Sequence, residues 1–242
     1  MKIVAKTDIG LVRSQNQDSY AAGELPGGVV WAVVCDGMGG AAGGAVASST
    51  AVKMISDKIT SCYQDGMSDA SIRHMLVSVI ESANASIYDM SLSNDELFGM
   101  GTTVVVAIVA NSCVYIAHAG DSRAYMVDAG GMTQLTTDHS VVQAMVEKGE
   151  ITVDEAKAHP QKNLITRALG VEKRVLVDFC QEPFEDGNVV IICTDGLTNY
   201  VENRDILEQT SDGHYYEFAD RLVNLANSNG GGDNVTVVVI AQ

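Results

Sequence analysis

Four apolar runs in this 242-residue chain carry an aspartate at one end, beside a glycine or an asparagine. Val29 to Cys35 runs into Asp36-Gly37, and Val189 to Thr194 runs into Asp195-Gly196. Cys113 to Gly120 runs into Asp121, and Asp233-Asn234 opens Val235 to Ile240. Any one such pair reads equally well as a hairpin turn. A hairpin, however, needs a strand directly after the turn. Asp36 is followed by a run of glycine and alanine broken by one methionine, and Asp195 by Gly-Leu-Thr-Asn-Tyr and a helical pattern. An antiparallel sheet can place the C-terminal ends of some strands beside the N-terminal end of another, which would gather Asp36, Asp195 and Asp233. Carboxylates gathered at one sheet edge repel one another unless cations lie between them. An all-oxygen donor set favours the hard cations Mg²⁺ or Mn²⁺, and neighbouring glycines let backbone carbonyls approach. The N-terminal segment adds Arg13 and Asp18. An arginine beside such a cluster suits a bidentate grip on a phosphoryl group, although a loop arginine alone is ordinarily a solvated charge.

The elements that must position these residues are legible as patterns. Strand-like text covers Ile3 to Lys6, Asp18 to Gly23 and Val29 to Cys35. A helical pattern then places Val52, Ile55, Ile59 and Cys62 on one face, and a second helix follows Ser68 as N-cap. Thr103 to Ala110, Cys113 to His118 and Arg123 to Asp128 are three strands joined by connections too short for parallel crossovers, so they are antiparallel neighbours. Residues 139–162 read as polar and helical, with a capping box over Thr152 to Glu155. Strands over Val175 to Gln181 and Asn188 to Cys193, two helices, and a closing strand Val235 to Ala241 complete the chain. Tyr215, Phe218, Leu222 and Leu225 share one face of the second of these helices. Strands and helices arrive in clusters, which predicts an α+β fold of antiparallel sheets covered by helices, not a doubly wound parallel sheet. No repeat, low-complexity tract or linker divides the chain, which carries only three prolines, so it reads as one domain over residues 1–242.

Composition narrows the function. Fifteen Lys and Arg against 31 Asp and Glu give a net charge of −16, which disfavours nucleic acid and anionic membrane surfaces as partners. The longest apolar run, Val104 to Ala110, is strand-sized, and the opening MKIVAKTDIG lacks the apolar stretch of a signal peptide. Five cysteines at irregular spacing, with Cys35, Cys113 and Cys193 inside apolar runs, predict reduced buried thiols in a cytoplasmic protein. No Cys/His spacing suggests zinc. No cysteine has an arginine six positions later, which excludes the phosphate loop of cysteine phosphatases. GxxxxGK[ST], HExxH, GxSxG and a His-Arg-Asp kinase loop are also missing.

Eight motifs in order then resemble one family across essentially the whole chain: the metal-dependent serine/threonine protein phosphatases of type 2C, in their bacterial form. They are Asp8-Ile-Gly-x-x-Arg13-x-x-Asn16-x-Asp18, Asp36-Gly-Met-Gly-Gly40, Gly101-Thr-Thr103, Ala119-Gly-Asp-Ser-Arg123, Leu135-Thr-x-Asp-His-Ser140, Thr166-Arg-Ala-Leu-Gly170, Thr194-Asp-Gly-Leu197 and Gly232-Asp-Asn-Val-Thr236. The resemblance implies a four-layer αββα sandwich, with a flap over about residues 139–165. It implies two central Mn²⁺ or Mg²⁺ ions, with Asp36 bridging, the Gly37 carbonyl on the first ion and Asp195 and Asp233 on the second. Asp121 with Asp195 would form a third, weaker site. Asp18 would hold metal-bound water and Arg13 the substrate phosphate. The implied activity is hydrolysis of phosphoserine and phosphothreonine in proteins by a monomer that opposes a cognate kinase. The alternative is an inactive member that binds phosphoproteins as a regulatory module. Where many eukaryotic members carry a histidine after the first Asp-Gly, this chain has Met38, which leaves the source of the leaving-group proton open. His118, His139 and His159 read as structural rather than catalytic.

Overall fold

The computed structural model describes residues 1–40 and 43–242, so Ala41 and Ala42 of the glycine-rich stretch after Asp36 lie outside the described residues. In chain order the strands are β1 (Lys2–Asp8), β2 (Asp18–Leu25), β3 (Val29–Met38), β4 (Gly101–Thr102), β5 (Val104–Ala110), β6 (Cys113–Ala119), β7 (Arg123–Asp128), β8 (Gly131–Gln134), β9 (Asp178–Pro183), β10 (Val189–Cys193) and β11 (Val235–Ala241). The helices are α1 (Gly43–Cys62), α2 (Asp69–Ser93), α3 (Val141–Glu147), α4 (Val153–Ala158), α5 (Asp195–Thr198), α6 (Asn203–Gln209) and α7 (Tyr215–Ser228). One sheet runs β1-β11-β10-β7-β8 and the other β2-β3-β5-β6-β9, with β4 paired to the end of β3. Each of these pairings is antiparallel.

Two-sided burial explains the unbroken apolar runs. Along β3, Trp31, Val33 and Cys35 pack with Ile55, Ile59, Leu76 and Ile80 of α1 and α2. The alternating set Val30, Ala32 and Val34 faces Val190, Ile192, Val238 and Ile240 of the opposite sheet. On β11 the outward set Val235, Val237 and Val239 meets Phe218, Leu222 and Val223 of α7. Successive strand residues point to opposite faces, so a strand buried on both faces has no polar alternation to show. The result is four layers, helix–sheet–sheet–helix, as the resemblance implied.

Local signals hold in detail. The Ser68 hydroxyl caps α2 by accepting from Ser71 N–H, and Thr152 and Glu155 form the reciprocal capping box of α4. Asn111 and Ser112, both at positive φ, make the two-residue turn that joins β5 to β6. Two expectations need correction, and two short strands went unread. β9 begins at Asp178 rather than Val175, because its pairing with β6 starts at His118 and runs back to Cys113, leaving the residues before Asp178 without a partner strand among the described residues. The short strands β4 and β8 carry too few residues for periodicity to show. The segment between β10 and β11 holds three helices, not two, because the one-turn α5 starts at Asp195 itself. Of the cysteines expected to be buried, Cys35 and Cys193 are and Cys113 is half-buried; all five are free thiols.

Candidate metal centre

The two sheets meet at one edge, and the aspartates meet there with them. Asp18 opens β2 and stands directly across from Asp36 near the end of β3. Asp195 follows β10, and Asp233 precedes β11, whose residue Val235 pairs with Asp8 of β1. The Asp18 side chain ties the two sheets together. Its Oδ2 accepts from Thr194 Oγ1 at 2.9 Å and from Thr236 Oγ1 at 2.7 Å, both on the opposite sheet. Asp36 is held through its backbone: its N–H donates to Thr103 Oγ1, and its carbonyl accepts from Thr103 N–H and Thr102 Oγ1.

Three glycines allow this convergence. A Cβ at Gly196 would lie 1.8 Å from the Asn234 carbonyl oxygen, and one at Gly37 would lie 2.1 Å from the Gly44 carbonyl oxygen at the start of α1. Gly10, at φ +78°, would place a Cβ 2.2 Å from the Asp233 carbonyl oxygen. Each is a backbone-on-backbone approach that a side chain forbids. The glycines beside Asp36 and Asp195 therefore serve close packing of strand ends, not hairpin turns.

Burial raises the pKa of Asp36 well above the ordinary carboxylate range, and the charges of Asp18, Asp195, Asp121 and Asp233 raise it further. Burial lifts Asp18 to about 7 against the threonine hydrogen bonds, and Asp195 and Asp233 add to the lift. Asp195 is likewise raised, by burial and then by Asp233. Asp121, at the end of β6, is pushed up to about 7 by burial and then by Asp195 and Asp138. Asp138 itself is clamped by the Arg123 guanidinium, with contacts of 2.6 to 3.1 Å. Among the described residues, Asp18 Oδ1 and Asp195 Oδ1 are buried without a hydrogen-bond partner, although Asp195 Oδ2 accepts from Asn199. Buried carboxylate oxygens without donors, set among other carboxylates, are the arrangement that a hard cation stabilises.

Arg13 reaches the cluster from the β1–β2 loop, where its Nη2 donates to Asp233 Oδ2 at 2.7 Å. Its side chain is 54% exposed, and one of five N–H donors is engaged, so the rest of the guanidinium can hold an anion. The expected site residues Arg13, Asp18, Asp36, Gly37, Asp121, Asp195 and Asp233 thus lie at or around one sheet edge. Reading the sequence alone missed the threonines that orient Asp18, the asparagine that holds Asp195 and the Thr103–Ser122 hydroxyl pair, 2.7 Å apart. Thr103, Ser122, Thr194 and Thr236 lie inside the family-like motifs but carried no assigned role, and Asn199 gave no signal.

A second polar group joins the flap to this edge. His139 Nδ1 accepts from Gly120 N–H at 3.1 Å, one residue before Asp121, and its Nε2 lies 3.1 Å from Asp178 Oδ2. Arg167 donates to Asp178 Oδ1 at 2.7 Å, and the His118 ring stacks on His139 at 4.7 Å. The donor atoms of His118, His139 and Asp178 lie within 4.8 Å of one another. His118 Nε2 already bonds the Thr137 carbonyl, however, and the Arg167 guanidinium stands 3.0 Å from His139 Nε2, where it opposes a cation. The group is a hydrogen-bonded brace, in keeping with the structural reading of both histidines. His159 caps α4, and its Nδ1 accepts from Gln161 N–H. At the flap base, Ser140 and Ile165 form an antiparallel bridge.

The family model described as Protein phosphatase 2C matches residues 12–235. The chain belongs to the protein phosphatase 2C family. A serine/threonine phosphatase of Listeria monocytogenes is 40% identical over 240 residues, covering 98% of this chain and 94% of that relative. The solved serine/threonine phosphatase of S. agalactiae superimposes with a TM-score of 0.92 at 36% identity, covering 100% of this chain and 99% of that one. The catalytic domain of the serine/threonine protein phosphatase PstP, solved in complex with two manganese ions, gives 0.87 at 34% identity, covering 98% and 96% of the two chains. The likeness to 2C phosphatases spans both sheets, both helical layers and the aspartate edge.

Proposed function

We propose that this 2C-family chain hydrolyses phosphoserine and phosphothreonine in proteins, using hard divalent cations held at the aspartate edge. The observation that carries the proposal is the half-buried Asp36 carboxylate with Asp18, Asp195, Asp121 and Asp233 around it, and unpartnered oxygens on Asp18 and Asp195. The donor set is all oxygen and fits Mn²⁺ or Mg²⁺. Asp36 would bridge two ions, with the Gly37 carbonyl completing one and Asp195 and Asp233 the other. Asp121 with Asp195 offers a third position. When bound, the cations would activate water for in-line attack on phosphorus.

The chain's own residues do the rest. The free N–H groups of Arg13 would grip the phosphoryl oxygens, while its bond to Asp233 fixes the guanidinium against the cluster. Asp18, clamped by Thr194 and Thr236, presents Oδ1 to accept a proton or orient water. The thioether of Met38 has no proton to donate, so leaving-group protonation would come from solvent or from Asp18. The five free thiols suit a cytoplasmic setting, where the enzyme would act as a monomer on the substrates of a serine/threonine kinase. The net charge of −16 favours the monomer through self-repulsion.

The test is release of inorganic phosphate from phosphothreonine and phosphoserine peptides by the purified chain in Mn²⁺, in Mg²⁺ and in EDTA. Cation-dependent release supports the proposal. Phosphopeptide binding without release in either metal would instead identify a binding module.

A further inference from the structure

A cavity of about 240 Å³ opens beside the end of β3, lined by Met38, Ala168, Val171, Val175 and Leu176 among others. Its apolar wall depends on Gly101, where a Cβ would fall 2.7 Å from Met38 Cε and 2.8 Å from Val171 Cγ2. Val171 is 49% exposed and Leu176 72% exposed, and no described element covers them. Arg167, Glu172 and Arg174 also line the cavity. Arg167 is engaged by Asp178, whereas the exposed Arg174 makes no ion pair among the described residues. In a chain of net charge −16, an unpaired arginine is a local exception to a field that repels acidic peptides.

We infer that this cavity seats an apolar side chain of the substrate polypeptide close to its phosphorylated serine or threonine, with Arg174 meeting an acidic neighbour. The inference rests on the phosphatase reading above, and continuity with the aspartate edge commits it to that occupant. Met38 follows Asp36 by two residues on the same strand, about 7 Å at a strand rise of ~3.3 Å per residue. An extended substrate has a similar rise, so a side chain two or three positions from the phosphorylated residue reaches the cavity while the phosphate lies at Asp36 and Arg13. The apolar side of the cavity, formed by Met38, Val171, Val175 and Leu176, favours leucine- or valine-like side chains, its polar side of Arg167, Glu172 and Arg174 leaves room for a charged neighbour, and its volume suits one such side chain rather than a cofactor.

The experiment compares kcat/KM for phosphothreonine peptides that carry a single leucine at −3, −2, +2 or +3 with a parent carrying serine at all four. The expected result is an advantage of about tenfold for leucine at one or more positions. The double substitution Val171→Ser with Leu176→Ser should reduce it to less than about threefold, and Leu176→Ser alone, at a well-exposed position, should reduce it partly. Leu92→Ser, an exposed leucine on α2, should retain the full advantage. Arg174→Glu should lower kcat/KM more for a peptide with a glutamate beside the leucine than for one without. Equal rates for all peptides in an active wild type would overturn the inference and leave the phosphatase reading standing. So would an advantage that survives the double substitution, or one that Leu92→Ser also removes. No phosphate release from any peptide would overturn both.

Discussion

Asp36 faces four other carboxylates with its backbone pinned by Thr102 and Thr103, so it cannot turn away from them. Replacing it with asparagine removes one of the carboxylate charges proposed to hold the cations. Asp36→Asn and Asp233→Asn are expected to lower metal-dependent turnover by about a thousandfold or more while the chain stays folded. Normal turnover by either folded variant would place the metals elsewhere. Asp121 lies at the margin, lifted by Asp195 and Asp138 but without the central position. Asp121→Ala should lower kcat, yet calorimetric titration with Mn²⁺ should still show two ions bound; loss of both would move Asp121 into the central pair. Arg13 touches the cluster through one hydrogen bond and otherwise faces solvent. Arg13→Ala should raise KM for phosphopeptide by roughly 10- to 100-fold, and Arg13→Lys should recover little, because the planar fork is lost. Kinetics like those of the wild type would take Arg13 out of the site.

The strand ends position these residues only because glycines let them touch. Gly196→Ala would force a Cβ to within 1.8 Å of the Asn234 carbonyl, on the loop that carries Asp233. The expected outcome is a loss of about 2 kcal/mol or more in stability together with weakened Mn²⁺ binding, read by thermal unfolding and calorimetry. Gly40→Ala, with no described residue within 4 Å of its Cβ position, is the control and should change neither. Unchanged stability and Mn²⁺ affinity in Gly196→Ala would mean that the strand ends separate without cost. The same elements show what a sequence can reveal. The apolar runs of β3, β5, β10 and β11 were legible because burial on both faces leaves them continuous, and the aspartates stood out at their ends. Antiparallel pairing of β5, β6 and β7 followed from connection length alone. The start of β9 was not legible, because Val175 is apolar for packing against the α1–α2 side and not for pairing. The brace of His139, Arg167 and Asp178 was invisible as a unit, since its members lie in three segments joined only by tertiary contact. Thr194 and Thr236 read as ordinary strand residues until the opposite sheet placed Asp18 between them.

At the scale of the molecule, a cluster of buried and half-buried carboxylates stores repulsion that folding must overcome, and this has a thermodynamic signature. With cations removed by EDTA, Asp18 and Asp121 titrate near 7 in the native state, and Asp36 and Asp195 are raised as well. In the unfolded chain these groups titrate near 4. Between those values the native state holds protons that the unfolded state has lost, so stability falls as pH rises through the window, by up to ~1.4 kcal/mol per pH unit for each proton involved. His118 and His139 act in the opposite sense, because burial lowers their pKa and the unfolded chain binds more protons near pH 6.5. The histidine contribution is common to the wild type and to Asp36→Asn, and cancels in their difference. That difference isolates the carboxylates. In EDTA, Asp36→Asn is expected to be the more stable protein at pH 7.5, with the gap narrowing toward pH 5 as the wild-type carboxylates take up protons. Saturating Mn²⁺ should reverse the order at pH 7.5, because each cation at a hundred times its Kd stabilises the wild type by about 2.7 kcal/mol and has an incomplete site in the variant. Chemical unfolding at four pH values, with and without Mn²⁺, measures both gaps. A wild type more stable than Asp36→Asn at pH 7.5 in EDTA would show that the cluster is relaxed without cations, and that repulsion among its aspartates does not drive cation binding.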